Sequence, residues 1–156
     1  MKSFILMFVF SLSLFNFSIE KNKFYDVLSS NSVEKLDKMI SQLEKEKQSP
    51  INRAYKGTLI AKKASFKKVA AEKIKLFKAG VLLLETEIKK SPKVVEYRFL
   101  RLTIQENCPK ILKYNTNVKE DVSVITKGYS KLNTNLKSII LDYSKDSKLL
   151  NSSILK

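Results

Sequence analysis

Three glycines and three prolines in 156 residues leave few positions at which a regular backbone is interrupted. Apolar residues recur at spacings of three and four, and no sustained alternation of apolar and polar residues is present. These spacings are typical of amphipathic helices, because residues three and four apart share a helix face. We therefore expect an all-α chain that forms a single domain of five or six antiparallel helices, joined by short connections.

The clearest helix is predicted between residues 69 and 90, where six apolar residues form one continuous seam. They are Ala70, Ile74, Phe77, Val81, Leu84 and Ile88. Because Leu82 and Leu83 add apolar surface beside that seam, we expect this helix to lie centrally. Ser49-Pro50 and Ser91-Pro92 are read as helix starts, and Pro109 as a stop.

The first 19 residues resemble a signal peptide, which is removed during export. Lys2 supplies a positive start, and residues 4–17 are nearly all apolar. That run is shorter than the roughly 20 apolar residues that span a bilayer. We expect cleavage near residues 16–20, an exported chain of residues 20–156 in the periplasm or outside the cell, and no transmembrane anchor after cleavage. An uncleaved N-terminal anchor is the alternative.

The chain carries a formal net charge of +15, and all but three of its 30 basic residues are lysines. Nucleic-acid sites usually need clustered arginines with aromatic stacking, so the composition argues against a nucleic-acid partner. A dispersed lysine surface suits either plain solvation or contact with anionic lipid or glycan of the cell envelope. The run Lys62, Lys63, Lys67 and Lys68 is the candidate for such contact, and a solvated turn is its simpler interpretation.

The residues that most often carry chemistry are scarce. Histidine is absent and Cys108 is the only cysteine, which excludes the usual zinc sites and an internal disulfide. Carboxylate pairs such as Glu120-Asp121 suit a helix start as well as they suit a catalytic site. We therefore predict no catalytic residue, no metal, no cofactor and no enzymatic activity, with an unrecognised carboxylate-based enzyme as the remaining alternative. Cys108 is read as a small buried hydrophobe, or alternatively as a reactive thiol.

Two of the three arginines fall in the stretch EYRFLRLTIQEN, residues 96–107. On a helix, Arg98, Arg101 and Gln105 form a polar stripe on an otherwise apolar surface. One interpretation is structural, with at least one arginine paired to Glu85 or Glu87 of a neighbouring helix. The other is a groove for an anionic ligand or a peptide carboxylate. Its candidate residues are Tyr97, Arg98, Arg101, Gln105 and Asn107.

Two resemblances bear on the fold. In GVLLLETEIKKSP, the residues Gly80, Leu84 and Pro92 keep the offsets of a tetratricopeptide repeat, which implies stacked helical hairpins. The segments NRAYKG, EIKKSPKVVEYRFLRLTIQENCPKILKY and ILDYSK, between Asn52 and Lys145, resemble small exported helical proteins of unknown function. That resemblance implies export and a helical fold.

The function that we expect is a non-enzymatic protein- or peptide-binding or scaffold module of the bacterial cell envelope. The alternative is a basic surface protein that binds anionic lipid or glycan.

Overall fold

The computed structural model describes residues 20–155, which form seven α-helices and no strand. The helices are α1 (Lys21–Ser29), α2 (Val33–Lys45), α3 (Pro50–Lys63), α4 (Ala70–Lys90), α5 (Val95–Asn107), α6 (Val118–Tyr129) and α7 (Thr134–Asp146). Short 3-10 turns follow at Ala64–Phe66, Lys110–Leu112 and Ser152–Ile154. The all-helical single domain is confirmed. The predicted signal peptide lies outside the described residues.

The predicted count of five or six helices is wrong, because α1 was not foreseen. Its first turn has no side-chain cap, so the sequence offers no start signal there. The helix is held by packing instead: Phe24 is completely buried, and its ring stacks on Tyr55 with centroids 3.7 Å apart. Tertiary contacts commonly stabilise short helices that propensity alone would not.

Some of the helices begin with a side-chain cap at the place that the sequence predicts. The Ser49 side chain accepts a hydrogen bond from the Asn52 amide at 3.1 Å, with Pro50 at the first turn, as predicted. Ser91-Pro92, in contrast, does not begin a helix. The Ser91 amide donates to the Glu87 carbonyl and so closes α4, and α5 begins only at Val95 after a turn.

Helices α3 and α4 approach each other closely at two glycines. A Cβ atom added to Gly80 would lie 2.4 Å from the Ala61 nitrogen and 2.6 Å from the Gly57 carbonyl oxygen. Such distances leave no room for a side chain. Gly57 and Gly80 therefore let the two backbones pack directly against each other.

The central helix is α5, with 10 of its 13 residues buried, rather than the predicted α4. Its Tyr97, Leu100 and Ile104 face one apolar cluster, built mainly with α1 to α4. Its Phe99 and Leu102 face a second cluster, built mainly with α6 and α7. By contrast, α4 buries only one side, and its Leu82 is 66% exposed.

Within residues 20–155, no helix has the length and apolar content needed to cross a membrane.

Candidate functional site

A completely buried carboxylate, Asp121 of α6, lies against the polar stripe of α5. Both of its oxygens accept hydrogen bonds from Arg101, from Nε at 2.8 Å and from Nη2 at 2.6 Å. Arg98 Nη1 donates to the same carboxylate at 3.1 Å, and Gln105 Nε2 donates at 2.6 Å. We call these four residues the Asp121 cluster. A buried negative charge is tolerated because it is paired and fully hydrogen-bonded.

The helical spacing of α5 builds this arrangement. Arg98, Arg101 and Gln105 are three and four residues apart, so their side chains leave the helix on one side. Both arginines are only 4% exposed. Arginine suits such a position, because its planar fork donates in several directions at once.

Further groups complete the hydrogen bonding of the two guanidinium groups. Arg98 Nη2 lies 2.9 Å from Glu120 Oε1, and Arg98 Nε donates to the Pro92 carbonyl at 2.8 Å. Arg101 Nη1 lies 3.0 Å from Glu85 Oε2. The pairing of an α5 arginine with Glu85 is therefore confirmed.

The electrostatics of the cluster follow from these contacts. Burial opposes the charge of Arg101, but the hydrogen bonds and charge of Asp121 and Glu85 outweigh it and raise the arginine pKa. The hydrogen bond from Arg98 lowers the pKa of Glu120. Among the described residues, no buried side-chain nitrogen or oxygen lacks a partner. The cluster thus links α4, α5 and α6 by internal contacts.

The five residues predicted for a ligand groove lie in three places. Arg98, Arg101 and Gln105 meet at Asp121. Tyr97 is buried in the first apolar cluster, on another side of α5. Asn107 is at the exposed C-terminal end of that helix, where its Nδ2 donates to the Thr103 carbonyl at 2.8 Å. Only three of the five side chains are therefore brought together.

Two other buried carboxylates also link helices. Glu96 accepts hydrogen bonds from Tyr55 at 2.6 Å and from Tyr25 at 3.3 Å, and lies 2.7 Å from Lys21 Nζ. Burial, followed by the charge of Glu96, raises the pKa of both tyrosines. These contacts fix α5 to α1 and α3.

Glu87 was the second carboxylate predicted for an α5 arginine, and it pairs with α3 instead. Its Oε1 accepts from Arg53 Nε at 2.8 Å. The hydrogen bond from Arg53 is the main cause that lowers the pKa of Glu87. With this pair, all three arginines of the chain are engaged by carboxylates within the fold.

A cleft of about 640 Å³ lies on another part of the surface. It is bordered by α1, the end of α3, the start of α4, α5 from Phe99 onward, and α7. Aromatic side chains contribute much of its lining, namely Tyr25, Phe66, Phe77, Phe99 and Tyr143. Ligand sites in proteins commonly have this size and this apolar lining.

The lining of the cleft also includes polar groups of both kinds. Charged residues of opposite sign are present, namely Asp26, Lys62, Lys73 and Asp142. Asn31 and Asn107 add side-chain amides, which can both donate and accept hydrogen bonds. Partial burial lowers the pKa of Lys62. The cleft thus offers apolar surface together with groups that can bond a polar backbone.

The single cysteine also lines this cleft. Cys108 is a half-buried free thiol, and its Sγ lies 3.6 Å from the Gln105 carbonyl oxygen. Burial raises the pKa of the thiol, which lowers its reactivity as a nucleophile. Cys108 is therefore packed as a small side chain, and a reagent that enters the cleft can contact its thiol.

Within residues 20–155, no three His, Cys, Asp or Glu side chains converge in a manner suited to a metal ion.

Sequence reasoning missed both Asp121 as the centre of the polar cluster and the cleft itself. For Asp121 a signal existed: Val118, Val122 and Ile125 form an apolar face on α6, and position 121 shares that face. A carboxylate on an apolar face predicts a buried ion pair. The cleft gave no such signal, because its walls come from segments far apart in the sequence.

Comparisons with known proteins complete the description of the site. No protein-family model, no curated protein and no solved structure matches this chain. Function must therefore be inferred from the contacts described above.

Proposed function

We propose that this protein is a non-enzymatic binding module of the bacterial cell envelope that holds a segment of another protein, or a peptide, in the aromatic cleft. The observation that carries the proposal is a cleft of about 640 Å³ lined by aromatic side chains from α1, α4, α5 and α7. Burying one or two apolar side chains of a partner there would supply the stabilisation, since a few buried anchors dominate most protein interfaces.

The charge distribution favours the cleft over the arginines as the place where a partner binds. Arg98 and Arg101 already have carboxylate partners inside the fold. Recruiting them to a ligand would leave Asp121 buried without its ion pairs, which is costly. The cleft, in contrast, has amides and charges of both signs beside its apolar wall. These are the groups that a peptide backbone and its charged side chains require.

We also propose that α2 to α5 stack in the manner of tetratricopeptide hairpins. Support comes from α3, which packs against α2, α4 and α5. It also comes from Gly80, which allows the backbones of α3 and α4 to approach each other closely. In a stacked array, successive helix pairs are related by a nearly constant small rotation. An experimental structure in which α2-α3 and α4-α5 are not related in this way would contradict the stacking.

Export is the third part of the proposal. The apolar run after Lys2 supports it, because its length suits a signal peptide. The intact mass of the protein recovered from the periplasm or medium of expressing cells should correspond to a chain that begins near residue 20. Recovery of only full-length protein in the cytoplasm would contradict export.

Peptide binding is tested with a library of random peptides displayed on phage and selected on residues 20–156. We expect recovered peptides to share one or two large apolar residues. Thr103 lines the cleft, so Thr103→Arg should obstruct it and abolish binding. The matched control is Thr126→Arg on α6, a threonine of similar burial that does not line the cleft.

Cys108 provides a second test that needs no bulky substitution. Modification of its thiol with a bulky maleimide should block binding of the selected peptides, and Cys108→Ser should make binding insensitive to the reagent.

The proposal is overturned if Thr103→Arg and Thr126→Arg bind the peptides equally well while both remain folded.

A further inference from the structure

The outward side of α4 combines lysines with an exposed leucine. At 100° per residue, Lys75, Lys78, Leu82 and Lys89 lie within an arc of about 60° and span about 21 Å along the helix. We call these four residues the lysine-leucine face. All four are exposed, and the opposite side of α4 packs into the core through Phe77, Gly80, Leu84, Glu87 and Ile88.

This face carries uncompensated positive charge. Within residues 20–155, no carboxylate lies within 4.0 Å of the amine of Lys75, Lys78 or Lys89. The acidic residues of α4 nearest to the face by helical position are Glu85 and Glu72. The Glu85 carboxylate is engaged by Arg101 and by the Tyr114 hydroxyl, and the Glu72 carboxylate lies 3.6 Å from Lys67 Nζ. Neither carboxylate is paired with a lysine of the face.

The leucine in this basic surface is unusual for its exposure. Leu82 is 66% exposed, which is the largest value for a bulky apolar residue within any α-helix of the described chain. Val69, at the N-terminal end of the same helix, is 55% exposed. Isolated exposed apolar residues are common. Here, however, Lys78 lies about one helical turn before Leu82, and Lys75 and Lys89 lie about two turns before and after it, all on the same side of α4.

We propose that the lysine-leucine face binds the surface of a bilayer that contains anionic phospholipid. Lysine amines would contact the lipid phosphates, and Leu82 would enter the boundary between headgroups and acyl chains. Positive charge alone would bind any polyanion. An exposed leucine among the lysines favours a bilayer, because an apolar layer lies beneath its charged headgroups. The cleft residues Lys73 and Phe77 lie on a different side of α4, so lipid binding does not depend on the proposed peptide site.

Vesicle co-sedimentation at low salt provides the test, with residues 20–156 and vesicles of phosphatidylcholine with or without phosphatidylglycerol. We expect binding to the anionic vesicles only. Because each lysine near an anionic surface strengthens binding about fivefold, Lys75→Gln/Lys78→Gln should weaken it about 25-fold. Lys119→Gln/Lys127→Gln removes the same charge from exposed positions of α6 and should have a much smaller effect. Equal losses in the two double variants would overturn the proposal.

Tryptophan fluorescence tests the role of the leucine, because the chain contains no tryptophan. Leu82→Trp should show a blue-shifted emission when anionic vesicles are added, since its indole would leave water. Leu141→Trp on α7, where the native leucine is 42% exposed, serves as the matched control and should show no shift. If the Leu82→Trp emission is unchanged while the protein sediments with the vesicles, or if soluble heparin binds as tightly as the vesicles, the lipid proposal is wrong.

Discussion

Arg101 holds Asp121 by both carboxylate oxygens, with Nε 2.8 Å from Oδ2 and Nη2 2.6 Å from Oδ1. This two-point contact joins α5 to α6 inside the fold, and Arg98 and Gln105 add further bonds to the same carboxylate. The arginines that look most like a ligand site in the sequence are thus occupied by the protein itself. In our proposal, a partner peptide therefore binds in the aromatic cleft and not at these arginines.

Removal of the Asp121 charge should destabilise the fold strongly. Asp121→Asn leaves two buried guanidinium groups without their common counter-ion, and breaking a buried pair typically costs about 3–5 kcal/mol in the free energy of unfolding. Urea denaturation monitored by circular dichroism measures the loss. Asp142→Asn is the control, because the Asp142 side chain is 77% exposed and surface pairs contribute at most about 1 kcal/mol. Similar losses in the two variants would contradict the buried network.

Alanine at Gly80 should cost more stability than alanine at Gly128. In Gly80→Ala the new Cβ meets backbone atoms of Ala61 and Gly57, and such overpacking typically costs about 1–3 kcal/mol. In Gly128→Ala the close contact is with the Val95 side chain, 2.3 Å from the new Cβ, which can move more easily than backbone. Both changes gain about 1 kcal/mol of helix propensity. A difference between the two urea midpoints therefore reports the cost of the steric contact at each glycine. The reverse ranking would argue against direct helix contact at Gly80.

The Glu87 pair predicts how stability changes in acid. The pKa of Glu87 is lowered in the folded state, chiefly by its hydrogen bond from Arg53. A lowered pKa stabilises the fold above the ordinary carboxyl pKa of 4.5, and this contribution is lost as the pH falls through the folded-state value. The stability difference between the native protein and Glu87→Gln should therefore shrink between about pH 6 and about pH 3.

The control for that titration is Glu34→Gln. Glu34 is exposed on α2 and forms no ion pair among the described residues. At pH 6 its urea midpoint should differ from that of the native protein by less than the midpoint of Glu87→Gln does. A Glu87→Gln effect that stays the same across the pH series would count against the ion pair with Arg53.

The tyrosines bonded to carboxylates predict the behaviour at alkaline pH. The Tyr55 hydroxyl donates to Glu96, and the Tyr143 hydroxyl donates to Glu106. Burial, and then the nearby carboxylate, raises the pKa of both tyrosines above the ordinary value of 10.0. The folded state therefore favours the neutral phenol: its contribution to stability is complete below pH 10.0 and is lost as the pH rises through the folded-state pKa values. Phenolate absorbance should rise at higher pH in the native protein than in the same protein unfolded in guanidinium chloride. Coincident titration curves would show that these hydroxyls are not buried against carboxylates.

The local features of this fold were readable in the sequence, and the non-local ones were not. Ser49-Pro50 marks the start of α3 because capping depends on neighbouring residues only. Ser91-Pro92 misleads because the Ser91 amide is used to close α4. The order of burial was also misjudged: Leu82 extends an apolar pattern, but α4 packs mainly on α3, and that leucine faces outward.

The candidate site shows the same division. The polar stripe of Arg98, Arg101 and Gln105 follows from helical spacing and was predicted. Its carboxylate centre lies 20 residues after Arg101 on another helix, and spacing within one helix carries no information about that pairing. The cleft requires α1, α4, α5 and α7 to be placed together, which only the folded chain shows.

Nuclear magnetic resonance during titration with a selected peptide tests the central claim most directly. The three arginines give only three Nε-H signals to assign, and these can be followed together with the backbone amides. We predict that the amides of cleft residues such as Tyr25, Thr103 and Cys108 will shift, while the Nε-H signals of Arg98 and Arg101 stay in place. Shifts at the two arginines with an undisturbed cleft would contradict the account and return the binding site to the polar stripe of α5.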